Sequence, residues 1–266
     1  MKIFIVADLE GASSVVAGPD EPRDGEAIAG DVNAAIEGAF DGGAKEVIVR
    51  DFHHSGRNIL PEALDSRAIL VRGSALPQGG AEFDSSYDMI FLLGFHPPSG
   101  DPLGITPHTF DEGYRVFINQ KEMGEAEVLA ALAGAEGVGV GLISGDERFV
   151  KRFKEFLPSV RSVITKRALS GTSAECRHPA AVRQELRQMA KEAVAAAGTI
   201  PKLVLQSPYH LEIKLPSIYH AVAAEWIPQV VRVASDRVRF ESTDFRQVFK
   251  LIYLFIGLGS IVADWK

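Results

Sequence analysis

Short, unbroken runs of β-branched and aromatic residues predict buried strands at Lys2–Ala7, Glu46–Arg50, Asp88–Phe95, Arg115–Asn119 and Val138–Ile143. Between them, apolar residues recur on one side of a helical wheel. In Glu26–Phe40 these are Ile28, Val32, Ala35, Ile36 and Phe40, and Asp41-Gly42-Gly43 ends the pattern. Further helices are predicted from about Gly124 to Ala133, from Ser144-Gly145-Asp146 to about Leu157, and from Pro179 to Ala197. Alternation of strand and helix implies βαβ units and a mostly parallel sheet with flanking helices.

After Thr199-Ile200-Pro201 the strands bunch instead of alternating. Leu203–Gln206, His210–Leu215, Val230–Ala234 and Val238–Glu241 read as strands, with a turn at Ser235-Asp236, and Asp244–Ile256 reads as a last helix. The fold class expected is therefore α/β, with a metal-binding α/β domain over residues 1–199 and a smaller α+β domain over 200–266. The apolar stretch Leu251–Ala263 reads either as a terminal helix and strand packed in the core or as a subunit interface. It is shorter than the ~20 residues that span a bilayer.

Charge and cysteine content remove several classes. The 266 residues carry 28 Lys+Arg against 35 Asp+Glu, a formal charge of −7, and no basic block. Nonspecific nucleic-acid binding needs clustered cations, so no nucleic-acid partner is expected. The single cysteine, Cys176, excludes an internal disulfide and any thiolate-based zinc site, and reads as packing. The apolar run at Ile3–Ala7 meets Asp8 too early for a signal peptide. These features lead to the expectation of a cytoplasmic protein without a membrane partner.

Polar residues at strand ends carry the candidate chemistry. Asp8 and Glu10 follow the first strand at i and i+2 and so point the same way. Alone, such a pair reads as a solvated loop. However, Asp51-Phe52-His53-His54 follows the second strand, Gly94-Phe95-His96 ends the third, His108 lies beside Pro107, and Gly124-Glu125 opens a helix. Parallel strands bring such ends to one edge. Imidazole and carboxylate are ligands for borderline metals such as zinc, and clustered carboxylates are costly unless cations neutralise them. Two divalent ions would change the formal −7 to −3.

Each residue also has a structural reading. His53 or His54 could cap a loop, His96 could be a satisfied core histidine, and Asp51 could orient a histidine ring. Asp146 reads as an N-cap as readily as a catalytic group, and His178, His210 and His220 as structural or surface residues. The chain lacks a G-x-x-x-x-G-K-[ST] phosphate loop and a G-x-S-x-G elbow. Gly137, Gly139 and Gly141 alternate within a strand and make no dinucleotide fingerprint.

Together, Asp8-Leu9-Glu10-Gly11, Asp51-x-His53, Gly94-Phe95-His96, Pro107-His108-Thr109 and Asn119-x-x-x-x-Gly124-Glu125 resemble the M55 family of D-aminopeptidases. The likeness continues through Ser144-Gly145-Asp146, Lys166 and Ala174-Glu175-Cys176, and covers nearly the whole chain. The resemblance implies a two-zinc aminopeptidase, with Mn or Co as other possible metals, that releases N-terminal D-amino acids such as D-Ala from short peptides. It implies Asp8, Glu10, His53, His96 and Glu125 as metal ligands, with Asp8 bridging, and His108 as the catalytic histidine, either shuttling a proton or stabilising the intermediate. It also implies a ring-shaped homo-oligomer, a decamer being one possibility. Phe52, where the family has a small residue, Gly171, where it has Arg, and a shortened Gly11–Asp24 loop depart from the pattern and bear on substrate preference. Competing readings are a dinuclear hydrolase of another amide or of a phosphoester, a nucleotide-binding module, and an inactive metal-binding homologue.

Overall fold

The computed structural model describes residues 1–16, 22–74 and 77–265, so part of the predicted Gly11–Asp24 loop lies outside the described residues. The chain opens with β1 (Lys2–Ala7), α1 (Pro22–Asp41), β2 (Glu46–Asp51), β3 (Ile69–Val71) and β4 (Met89–Phe95). A hairpin of β5 (Arg115–Ile118) and β6 (Lys121–Met123) follows, then α2 (Glu125–Ala135), β7 (Gly139–Asp146), α3 (Glu147–Phe156), β8 (Arg161–Ser170), β9 (Ser173–Cys176) and α4 (Pro179–Ala195). The remainder comprises β10 (Tyr209–Lys214), α5 (Ile218–Ala224), β11 (Val231–Ala234), β12 (Arg237–Ser242) and α6 (Phe245–Val262).

The main sheet runs β3-β2-β1-β4-β7-β8-β9, parallel except for the last strand. Side chains alternate across it. Ile3, Ile5 and Ala7 face the layer made by α1 and α4, while Phe4 and Val6 face α2 and α6. This is the expected α/β fold with helices on both faces of a mostly parallel sheet. The second sheet is antiparallel, in the order β11-β12-β10-β5-β6, and shares its core with the α2–α6 face of the first. It draws strands from both sides of residue 200.

Helix ends follow local chemistry. The Asp146 carboxylate accepts Phe149 N–H at 2.8 Å and caps α3. His178 caps α4, with Pro179 in the first turn. Helix α6 continues past the predicted stop at Ile256 to Val262, in place of a terminal strand. Leu251, Ile252, Phe255, Leu258 and Val262 stay on one buried stripe, which outweighs the propensity cost of Gly257 and Gly259. By length and composition α6 could cross a membrane, but that stripe lies in the protein core. Leu203–Gln206 is not a strand. Pro201 O accepts Val140 N–H at 2.9 Å, on the stretch of β7 that precedes its pairing with β8, and Leu203 packs into the core; from Leu142 onward β4 and β8 flank β7 on both sides, so the segment has no edge along which to continue.

Strand order fixes where a ligand belongs. From β1 the chain winds outward through β2 and β3, and then returns to β4 on the other side of β1. The reversal falls between β1 and β4, and the crevice beyond their C-terminal ends is the general ligand position of such sheets.

Candidate metal centre and active site

Six of the residues singled out in the sequence meet in that crevice. Asp8 and Glu10 leave β1, His53 follows β2, His96 follows β4, and Glu125 starts α2. His108 comes from the long connection between β4 and β5. Two glycines permit the convergence. Gly94 has φ +77, and a Cβ there would lie 2.1 Å from Asp8 O. Gly11 donates its N–H to Gly94 O at 2.7 Å, and a Cβ on it would meet Phe95 O at 1.9 Å.

Asp8 is at the centre and is almost fully buried. Its Oδ1 lies 3.5 Å from His53 Nδ1, which is itself 3.1 Å from Glu10 Oε2. Its Oδ2 lies 3.5 Å from His96 Nε2, which is 3.5 Å from Glu125 Oε1. The two carboxylate oxygens of Asp8 thus belong to two ligand groups, Asp8–Glu10–His53 and Asp8–His96–Glu125, whose donor atoms all lie within 4.8 Å of one another. Zinc bonds of about 2.0–2.2 Å in tetrahedral array separate ligand atoms by roughly 3.3–3.6 Å, so both groups fit zinc. Asp8 Oδ2 is buried with no hydrogen-bond partner among the described residues, as expected of an atom reserved for a cation.

Neighbouring groups orient the ligands. His96 Nδ1 lies 2.9 Å from Pro97 O, which fixes the proton on Nδ1 and leaves the Nε2 lone pair for the centre. His108 Nδ1 donates to Thr106 O at 2.8 Å, so its Nε2 faces Glu10 Oε1 at 3.8 Å and Glu125 Oε1 at 3.6 Å. The rings of His96 and His108 stack with centroids 4.2 Å apart, and Glu10, His96 and His108 form a third possible ligand group.

Without metal, the charges polarise one another. Burial and then the Glu10 charge push the Asp8 carboxyl up to about 7. Burial disfavours the charged form of His53, but hydrogen bonds to Asp8 and Glu10 overcome it and raise His53 to about 11. His96 rises to about 10 in the same way, through Glu125. Burial likewise opposes ionisation of Glu10 and Glu125, yet hydrogen bonds to His53 and His96 hold both below the usual range.

Several candidate residues have other tasks. Asp51 does not orient an imidazole. It accepts Asn58 N–H at 2.6 Å, Asn58 Nδ2 at 2.8 Å and Ile59 N–H at 2.8 Å, and Asn58 Nδ2 also donates to His53 O. It therefore holds the backbone that carries His53. Asp146 is the cap of α3, and its second oxygen accepts Ile105 N–H at 3.0 Å, steadying the loop that presents His108. His54 lines the cavity but enters none of the ligand groups found among the described residues. His210 pairs with Glu241 at the surface, and His220 meets Ser217 Oγ.

The residues around the ligands were harder to find in the sequence. Lys166 is buried and its Nζ donates to the carbonyls of Glu10, Ala12 and Val15, pinning the loop that presents Glu10. Lys166 entered the sequence reading only as one point of the family likeness, and the polar-apolar mix of Val163–Arg167 gave no sign of its task. Phe110 donates its N–H to Glu125 Oε1 at 2.6 Å. Phe52, Phe110 and Tyr253 flank the ligands in a cavity of about 770 Å³.

The chain matches the family model described as Peptidase M55, D-aminopeptidase, over residues 1–254. A D-aminopeptidase from Bacillus subtilis (strain 168) is 26% identical over 272 residues, covering 97% of this chain and 98% of its own length. The solved structure of the Zn-dependent D-aminopeptidase DppA from Bacillus subtilis, a self-compartmentalizing protease, is similar with a TM-score of 0.93 and 24% identity over 98% of both chains. It shares the fold. The match across nearly the whole chain decides the family, and this protein belongs to the M55 D-aminopeptidases.

Proposed function

We propose that this protein is a dinuclear zinc aminopeptidase that removes an N-terminal D-amino acid, D-Ala among them, from short peptides. The observation that carries the reading is the division of Asp8 between two ligand groups, one oxygen to each. Asp8, Glu10 and His53 would hold one ion, and Asp8, His96 and Glu125 the other. Zinc, when bound, supplies a Lewis acid and an activated water for amide hydrolysis.

The protein's own residues supply the rest. The Pro97 carbonyl holds His96 in the tautomer that ligates, and Asn58 with Asp51 fixes the turn under His53. His108 stands with Nδ1 committed to Thr106 O and Nε2 open to the centre. That arrangement suits a group that takes a proton at Nε2 and returns it to the leaving amine. His108 is 23% exposed at its side chain, in contact with the cavity that a peptide would enter. The Zn-dependence and self-compartmentalization of the Bacillus subtilis DppA support zinc as the metal and a homo-oligomer as the working assembly, for which the family resemblance suggests a decameric ring.

The test is metal analysis of the zinc-saturated protein together with assays on D-Ala-D-Ala, its L,L counterpart and a phosphodiester. Two zinc ions per chain and cleavage confined to the D-dipeptide are expected. Fewer than two ions, or turnover of the phosphodiester alone, overturns the proposal. His108→Ala should keep both ions while turnover falls about 10²–10⁴-fold. Loss of an ion with it would make His108 a ligand through the Glu10–His96–His108 group.

A further inference from the structure

The cavity lined by Asp8, Glu10, His53, His108 and Glu125 has a second, chemically different wall. Phe52, Phe110 and Tyr253 face one another in a triangle, with ring centroids 6.5 Å apart for Phe52–Phe110, 5.4 Å for Phe110–Tyr253 and 6.3 Å for Phe52–Tyr253. The angles between ring planes are 64°, 64° and 73°, the edge-to-face arrangement in which aromatic pairs are favourable. Ile256, one helical turn after Tyr253 on α6, extends the apolar surface.

Two features tie this wall to the polar centre. Phe52 directly precedes His53, and Phe110 N–H donates to Glu125 Oε1 at 2.6 Å. Phe110 also has φ +64, a left-handed conformation that is costly for a bulky side chain. Strain of this kind persists where surrounding structure imposes it, and it clusters at ligand sites. Here it turns the ring toward Phe52 and Tyr253 while the amide reaches Glu125.

The size of the space matters as well. The whole cavity, polar centre included, holds about 770 Å³, within the ~300–1,000 Å³ range of ligand pockets, which leaves room beside the centre for a side chain larger than a methyl group. A methyl group would leave most of the aromatic surface wet.

We infer that the Phe52–Phe110–Tyr253 wall is a side-chain subsite that selects substrates carrying a bulky apolar or aromatic residue at the scissile bond, with Phe110 as a specificity-determining residue. This rests on the aminopeptidase reading above and names the substrate class within it.

The experiment compares kcat/KM of the zinc-loaded enzyme for D-Phe-D-Ala, D-Leu-D-Ala and D-Ala-D-Ala, for wild type and Phe110→Ala. In parallel, calorimetry measures binding of D-phenylalanine amide and D-alanine amide. Wild type should favour D-Phe-D-Ala over D-Ala-D-Ala by 10-fold or more, in keeping with the 10–200-fold discrimination of apolar pockets. Phe110→Ala should reduce that ratio at least 10-fold, and D-phenylalanine amide should bind wild type at least 10-fold more tightly than D-alanine amide. Phe110→Leu, which retains apolar volume, should keep part of the ratio and serves if the alanine variant does not fold. Equal or better cleavage of D-Ala-D-Ala by wild type overturns the subsite and leaves the proposed activity standing. No cleavage of any dipeptide with retained preference for D-phenylalanine amide overturns the activity and supports the subsite. No cleavage and no amide preference overturn both.

Discussion

Replacing Lys166 by Met removes a buried ammonium and keeps the length of the side chain. Burial lowers the Lys166 pKa to about 8, so at pH 7 the group still carries its proton and three N–H donors. These donors meet Glu10 O at 2.6 Å, Ala12 O at 2.7 Å and Val15 O. Hydrogen bonds to a charged group contribute roughly 1.5–3 kcal/mol each, and a buried carbonyl that loses its donor costs about 1–3 kcal/mol. Ala12 O retains the N–H of Val15 at 3.3 Å, so it suffers least. Relief of the desolvation of the ammonium, several kcal/mol, opposes these losses. The balance is a destabilisation of about 3 kcal/mol for Lys166→Met, read from urea unfolding of the metal-free protein at pH 7. The loop from Glu10 to Val15 bears the change, so zinc affinity should fall about 10–100-fold, as it does when a residue supporting a metal ligand is removed. Unfolding within 0.5 kcal/mol of wild type, together with unchanged zinc affinity, would refute the claim that Lys166 holds the Glu10 loop.

Metal-free protein should lose stability toward alkaline pH. The folded pKa of His53, about 11, lies above its ordinary 6.5, so its contribution is complete below pH 6.5 and is lost as pH rises through about 11. The stability difference between wild type and His53→Gln should therefore shrink from pH 6 to pH 11, and a constant difference would count against the imidazolium–carboxylate pairs. Zinc binding at pH 8 should release about two protons per chain, one each from His53 and His96, measured by calorimetry in buffers of different ionisation enthalpy; release of less than one would rule out protonated imidazoles in the metal-free state. Gly94→Ala combines φ +77 with a Cβ 2.1 Å from Asp8 O and should cost more than about 3 kcal/mol in thermal or urea unfolding, and a cost under 1 kcal/mol would show that the backbone contact gives way easily.

The fold was legible where apolar runs were long and uninterrupted. Strands β1, β2, β4 and β7 lie at the centre of the sheet, buried on both faces, and their sequences show it. Strands β8 and β9 carry Arg161, Ser162, Arg167, Ser170, Ser173 and Glu175 on half-exposed or exposed positions and bury the polar Thr165 and Lys166, so hydrophobicity alone did not mark them. The hairpin β5–β6 pairs with β10, more than 80 residues away, through Leu211↔Ile118 and Ile213↔Val116. That pairing was invisible along the chain because antiparallel partners share no local signal of their register.

The same physics explains which part of the site could be read. Asp8, Glu10, His53, His96 and Glu125 are polar residues that interrupt apolar runs at strand ends or open a helix, where burial without a partner would be costly. Their presence there demands an explanation, and a cation supplies one. The parallel strand order then brings them together without further information. Phe110 and Tyr253 make no such demand, and Phe52 stood out only as a departure from the family pattern. An aromatic ring in an apolar stretch satisfies the core and a substrate side chain by the same contact, so its sequence context cannot separate packing from recognition. Only the folded arrangement does so: three rings from three separate segments, one of them in a left-handed conformation, meet beside Glu125 and face a cavity. Residues that burial penalises announce the candidate metal centre along the chain, whereas residues that burial rewards announce nothing by themselves, which is why the first could be read from the sequence and the aromatic wall, Phe52 apart, required the structure.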